Sequence, residues 1–237
     1  MTFDRGLRPI LEGVDTSWII GGVMPFEAYS VGSHVPVLFE RFARVLHPAW
    51  AAPGVPVRWD AIAAWSGRTS HPLAQFVPLS RPAGEVATAT PFERKPDLGG
   101  LPPVILEPLC ELLAAHTQTP DQCYVGGWEG YGWLDLASPA LRLRLPQRTH
   151  LVFGGPIAEV GRIGWTLPNG SLVQEPPGII WPADRAWFVA SEVDLDSTFV
   201  GGSGSLIDAI LADPRLESWP AQPTDRVTWD SDLINGR

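Results

Sequence analysis

Leu141, Leu143 and Leu145 alternate with Arg142 and Arg144. A period of two predicts a strand with one buried face and one basic face. Short apolar runs of the same kind crowd the second half of the chain: "CYVGGWEG", "THLVFGGP" and "RAWFVASEVDL". Earlier, "DTSWIIGGV" (residues 15–23) reads as a short buried strand. "LFERFARVLHPAW" (38–50) fits both periods. Its aromatic and β-branched content and the stop at His47-Pro48 favour a strand.

Helical spacing is clear in fewer places. In "VRWDAIAAWSGR", Trp59, Ile62, Ala63 and Ser66 share one face, and Gly67 is a natural C-terminal stop. "PVILEPLCELLAAHTQTPDQ" predicts a helix ending near His116, with Pro108 tolerable only in its first turn. "STFVGGSGSLIDAILADPRL" reads as a Gly-rich turn feeding a helix. Ser205 and Asp208 have capping-box spacing there, and Leu206, Ile207, Ile210 and Leu211 form an apolar face. Residues 78–103 are poor in core residues and predict a long surface loop. The tail, "ESWPAQPTDRVTWDSDLINGR", reads as an extended arm. Strands come in runs, with helices between the groups. That favours an α+β fold, an antiparallel or mixed sheet flanked by a few helices in a single domain spanning residues 1–237.

The chain of 237 residues is long enough to bury a core without disulfides or metals. Its 25 Pro and 24 Gly point to many turns and short elements. The net charge of −9 repels phosphate backbones and anionic membranes, so neither nucleic acid nor membrane is an expected partner. It suits a basic protein partner. Cys110 and Cys123 lack metal-type spacing and read as free thiols of a reducing cytoplasm. The first 15 residues hold no apolar signal region, and "WIIGGVMPF" is far short of a membrane span.

Two places carry candidate chemistry. A strand over 186–196 would put Glu192, Asp194 and Asp196 on one face, with side chains two apart separated by about 7 Å. Such carboxylates would take a divalent cation, Mg²⁺, Mn²⁺ or Ca²⁺, and no other cofactor is expected. The following "GGSGS", with Ser203 and Ser205, could offer N–H groups to an anion, although "FVGGSGSL" lacks the GK[ST] ending of a phosphate loop. The plainer reading is a solvated acidic face followed by an ordinary helix cap. Arg142 and Arg144, on a neighbouring strand, would neutralise those acids and contribute about 0.2–1 kcal/mol each.

The second place is "YVGGWEGYGWLD" (124–135), in a chain with eleven Trp. Tyr124, Trp128, Tyr131 and Trp133 could form a stacking floor for a sugar or a flat cation, with Glu129 hydrogen-bonding a ligand hydroxyl. Its plainer reading is a strand whose Trp128 enters the core, then a turn. The histidines are scattered without HExxH or HxH spacing. There is no GxSxG, and neither cysteine has an adjacent basic residue to activate it.

At "WEGYGW" (128–133) and "WPADRAWFVASEVDLDSTFVGGS" (181–203) the chain resembles an actinobacterial family of conserved hypothetical proteins with no assigned activity. The likeness extends to "FARVLHPAW" and "VRWDAIAAWSGR". It implies a bacterial cytoplasmic protein of one domain and no particular chemistry. A looser likeness, of overall character only, is to small acidic Trp-rich immunity proteins. The expectation is therefore a non-enzymatic, acidic protein-binding module. The alternative is a metal-dependent hydrolase of a phosphorylated or sugar-like substrate. A small-molecule binder built on Trp128, Tyr131 and Trp133 is a third reading.

Overall fold

The computed structural model describes residues 7–85, 88–132, 134–146, 148–162, 164–167, 169, 171–175 and 177–236. Its strands are β1 (Arg8–Pro9), β2 (Arg41–Leu46), β3 (Ala49–Ala52), β4 (Val55–Val57), β5 (Cys123–Trp128), β6 (Arg142–Leu145), β7 (Arg148–Gly155), β8 (Gly164–Thr166), β9 (Leu172–Gln174), β10 (Ile179–Pro182), β11 (Phe188–Ala190), β12 (Ser197–Gly202) and β13 (Ser218–Ala221). The helices are α1 (Ser17–Gly22), α2 (Trp59–Ser66), α3 (Phe76–Leu79), α4 (Pro103–Ala115) and α5 (Gly204–Ala212). Among the described residues, nine strands form one sheet in the order β1-β7-β5-β10-β11-β12-β2-β13, with β6 also paired to β7. Every pair in it is antiparallel. β3 and β4 form a separate hairpin, as do β8 and β9. The fold is thus α+β, with an antiparallel sheet flanked by a few helices.

Alternation along the strands divides the core in two. Val125, Leu151, Phe153, Val189 and Val200 face α4 and α5, whose Leu106, Leu109, Ile207 and Ile210 are buried against them. On the other face Val152, Ile179, Trp181, Phe188 and Phe199 pack against Ile19, Val31 and Val35 of the N-terminal segment. Burying one such side chain contributes about 1.5–3 kcal/mol. A third cluster holds α2 and α3 against Leu46 and Ala49.

Residues 38–50 fit two periods because Phe42 to Leu46 are all buried, so no polar face marks the strand. Even Arg44 is buried. It donates from Nε to Ser197 Oγ (2.9 Å) and from Nη1 to the carbonyls of Pro72 (3.0 Å) and Ala74 (2.8 Å). α2 has the expected buried face of Trp59, Ile62, Ala63 and Ser66, and Gly67 ends it at φ +69°. Its first N–H groups are satisfied from afar. The Glu217 carboxylate accepts from Trp59 N (2.6 Å) and Asp60 N (2.7 Å).

Four expectations need correction. Residues 17–22 form α1, not a strand. A short apolar run does not separate the two by period, and Asp15 Oδ1 accepts from Ser17 N (2.9 Å) to start a helical turn. Pro108 sits in the second turn of α4, at a buried position. The expected strand over 186–196 is only β11; residues 191–196 turn the chain into β12. The supposed Gly-rich turn is therefore mostly strand, and Ser203, not Ser205, caps α5 by accepting from Leu206 N (3.3 Å).

Of the expected loop 78–103, Pro78 and Leu79 close α3 and Pro103 opens α4; the described part between them has no helix or strand beyond a single Trp50–Arg94 bridge, and much of it is exposed. Its far end is pinned. His47 Nδ1 lies 2.8 Å from the Asp97 carbonyl, and Trp50 Nε1 donates to Asp97 Oδ2 (3.0 Å). Gly99 N donates to Leu195 O (2.9 Å), and Ser191 Oγ donates to the Gly99 carbonyl. Burial pushes His47 down to about 4, so the ring is neutral at pH 7. It donates to Asp97 and accepts at Nε2 from Thr198 Oγ1 (2.9 Å), which is 2.8 Å from Ser191 Oγ.

Candidate functional site

The end of β5 and the start of β7 build the site. Trp128 pairs with His150 across the strands, so Arg148, two residues before His150, rises from the same face. After Trp128 the chain turns, with Tyr131 N donating to Trp128 O (3.0 Å). The indole lies flat against Gly130. A Cβ there would stand 2.2 Å from the ring, so the glycine of "WEGYG" is a packing requirement. Tyr131 meets the indole edge to face at 5.5 Å. The Arg148 guanidinium lies over the indole, 5.0 Å from its centroid.

That guanidinium is also the hub of the acidic stretch. Its Nε and Nη2 donate to Glu192 Oε1 at 3.0 and 2.8 Å, and Nη2 donates to Asp194 Oδ2 at 3.0 Å. The Glu192 side chain is 14% exposed and that of Asp194 79%. The aromatic and acidic stretches, far apart in sequence, therefore meet on one arginine. Burial pushes the Tyr131 phenol up to about 12, with Glu175 and Glu192 adding to the rise. Arg148 works against that rise.

The other candidate residues are dispersed. Asp196 is not beside Glu192 and Asp194. It lies 3.8 Å from Arg44, and burial raises its carboxyl above the ordinary range. The premise of three carboxylates on one strand face fails because those residues are in a turn. Among the described residues no group of three or more His, Cys, Asp or Glu is arranged to hold a metal. Ser203 and Ser205 share a hydrogen bond (3.0 Å) at the start of α5, where Gly204 N donates to the Glu40 carboxylate (2.8 Å). The chain's own acid thus occupies the place of an anion. Tyr124 packs on Trp181 at 5.5 Å, away from the rim. Trp133 lies outside the described residues. Arg142 donates to the Leu136 carbonyl (2.7 Å) instead of to the acids. An arginine does neutralise the acids, but it is Arg148.

Beside the Arg148–Glu192 pair lies a small cleft of about 30 Å³, room for a water or two. His34, His150, Ser191 and Phe26 are among its walls. His34 stacks parallel to Phe199 at 6.3 Å and meets Phe26 edge to face at 6.4 Å. Burial, with Arg148 adding to it, pushes both His34 and His150 down to about 4, so both rings are neutral at pH 7. His150 Nδ1 is buried with no hydrogen-bond partner. Neutral imidazoles can donate and accept hydrogen bonds. The cysteines offer no nucleophile, since burial pushes Cys110 and Cys123 each up to about 12.

Arg148, His34 and His150 are missing from the sequence-level candidates. One signal for two of them is present: in "RTHLVF" Arg148 and His150 are two apart on a strand and so share a face. Nothing local ties His34 to them. No helix among the described residues is long and apolar enough to cross a membrane. No protein-family model matches the chain, and neither do any curated protein or solved structure.

Proposed function

We propose that the chain is a non-enzymatic, cytoplasmic binding module, immunity-like in character, that engages a basic protein partner. Its contact surface is the rim of Trp128, Glu129, Tyr131, Glu192 and Asp194. The observation that carries this reading is the way the rim holds Arg148. An indole face and two carboxylates already recognise one guanidinium there. Asp194 remains largely exposed, and Glu129 and Glu175 add negative charge nearby. An incoming arginine or lysine would meet the exposed Asp194 carboxylate at the edge of this cluster. The chain's net charge of −9 favours fast, salt-sensitive association with a basic surface.

A hexa-arginine peptide titrated against tryptophan fluorescence tests this. Saturable binding that weakens with salt is expected. Asp194→Asn and Glu129→Gln each weaken it by about 0.2–1 kcal/mol, the range of exposed pairs. Binding that is absent, or indifferent to both substitutions, overturns the reading.

A further inference from the structure

Away from the rim, α4 and the short helical turn Ile157–Arg162 stand on either side of a groove of about 450 Å³, the size of a small-molecule site. Leu106, Cys110 and Ala114 line it from α4 at a spacing of four, one row along a helix face. Ile157, Ala158 and Gly161 form the opposite wall. At one end the walls meet: a Cβ on Gly161 would lie 3.6 Å from Leu106 Cδ2. Further along, the smaller side chains of Cys110 and Ala114 leave room.

The charge of the groove is one-sided. Glu107 and Glu111, one turn apart on α4, are exposed and are the only charged side chains among the described residues that line it. Glu111 accepts from Arg215 Nη1 (2.6 Å), but that guanidinium is shared with Asp213, which accepts from Nη2 (2.7 Å). The Glu107 carboxylate has no hydrogen bond or ion pair among the described residues. Three carboxylates therefore stand against one arginine. Burial keeps the Cys110 thiol protonated, with Cys123 and the negative Glu107 adding to the effect. The apolar walls favour an organic body that leaves water, and the unpaired carboxylate favours a positive charge. A bare metal ion finds no group of three ligands among the described residues.

We infer that this groove binds small organic cations, with an aliphatic or aromatic body between Cys110 and Ile157 and an ammonium group at Glu107. The test is a titration of the intact protein with phenethylamine, phenethyl alcohol and hydrocinnamate, which carry an ammonium, a hydroxyl and a carboxylate on the same body. Binding is read from the methyl signals of Leu106, Ala114 and Ile157 in NMR spectra. Phenethylamine shifts them saturably. It binds about two- to fivefold tighter than the alcohol, the strength of one exposed ion pair, and hydrocinnamate binds weakest. Glu107→Gln removes the advantage of the amine over the alcohol. Ala158→Trp, at an exposed position of the wall, fills the groove and weakens the amine by about tenfold or more at an unchanged melting temperature. The inference is overturned if the amine gives no saturable shift, or if the alcohol or hydrocinnamate binds as tightly. It is equally overturned if Glu107→Gln keeps the preference or Ala158→Trp leaves the amine affinity unchanged. Hexa-arginine binding is read on the same Ala158→Trp protein and persists there, so the groove and the acidic rim fail or succeed separately.

Discussion

Arg148 holds Glu192 through two donors on one oxygen, Nε at 3.0 Å and Nη2 at 2.8 Å, while its guanidinium covers the Trp128 indole. Removing the arginine leaves a mostly buried carboxylate without its cation. Arg148→Met is expected to destabilise the fold by about 1–3 kcal/mol, the cost of an unmet charged hydrogen bond. Glu192→Gln, which keeps an acceptor in place, costs less. Urea denaturation of the two variants checks the order.

Thr198 Oγ1 donates to His47 Nε2 and packs against Ser191 Oγ, whose own proton goes to the Gly99 carbonyl, beneath the pinned end of the long loop. Thr198→Val keeps the shape and removes the hydroxyl, leaving His47 Nε2 without its donor. The expected loss is about 1–3 kcal/mol. Because Ser191 also bonds the Gly99 carbonyl, amide exchange at Gly99 should quicken as well. An unaltered exchange rate would show that the loop is held by other contacts.

Three neutral histidines, two of them buried, set the acid limit. His34, His47 and His150 are each pushed down to about 4 from 6.5. The unfolded chain binds protons more readily between those values, so stability is full above pH 6.5 and is lost as pH falls toward 4. For the fully buried His47 and His150 the loss by about pH 4.5 is about 2 kcal/mol each. Asp196 and Glu217, whose carboxyls burial raises, act in the opposite sense and offset part of it. Urea midpoints near pH 7 and near pH 4.5 should therefore differ, with the acid sample weaker. Equal midpoints would contradict the neutral assignment.

Glu217 serves α2 as a remote N-terminal cap, through Trp59 N and Asp60 N. Glu217→Ala opens both N–H groups and is expected to cost about 1–2 kcal/mol, as for other lost caps. Circular dichroism with thermal melting reads the effect, and Glu217→Gln should recover part of it.

The sheet was readable wherever one strand face is wet, as in Leu141 to Leu145, because alternation survives there. It was less readable at Arg41–Leu46, where both faces are covered, and misleading at residues 17–22, where a six-residue helix has no room to show its period. The acidic stretch misled for a related reason. Glu192, Asp194 and Asp196 keep the spacing of a strand but lie in the turn between β11 and β12, which sends Asp196 toward Arg44 and the other two toward Arg148. The aromatic stretch and the acidic stretch were both legible as places of interest. Their meeting was not, since it depends on β7 bringing Arg148 to the end of β5, a long-range pairing with no local signature.

The most direct measurement is a double-mutant cycle between Trp128→Leu and Asp194→Asn, read as affinity for hexa-arginine at low salt. If both residues belong to one cation-binding rim organised by Arg148, the two losses are coupled by about 0.5–3 kcal/mol. Losses that add within about 0.3–0.5 kcal/mol, as for independent sites, would contradict a single rim.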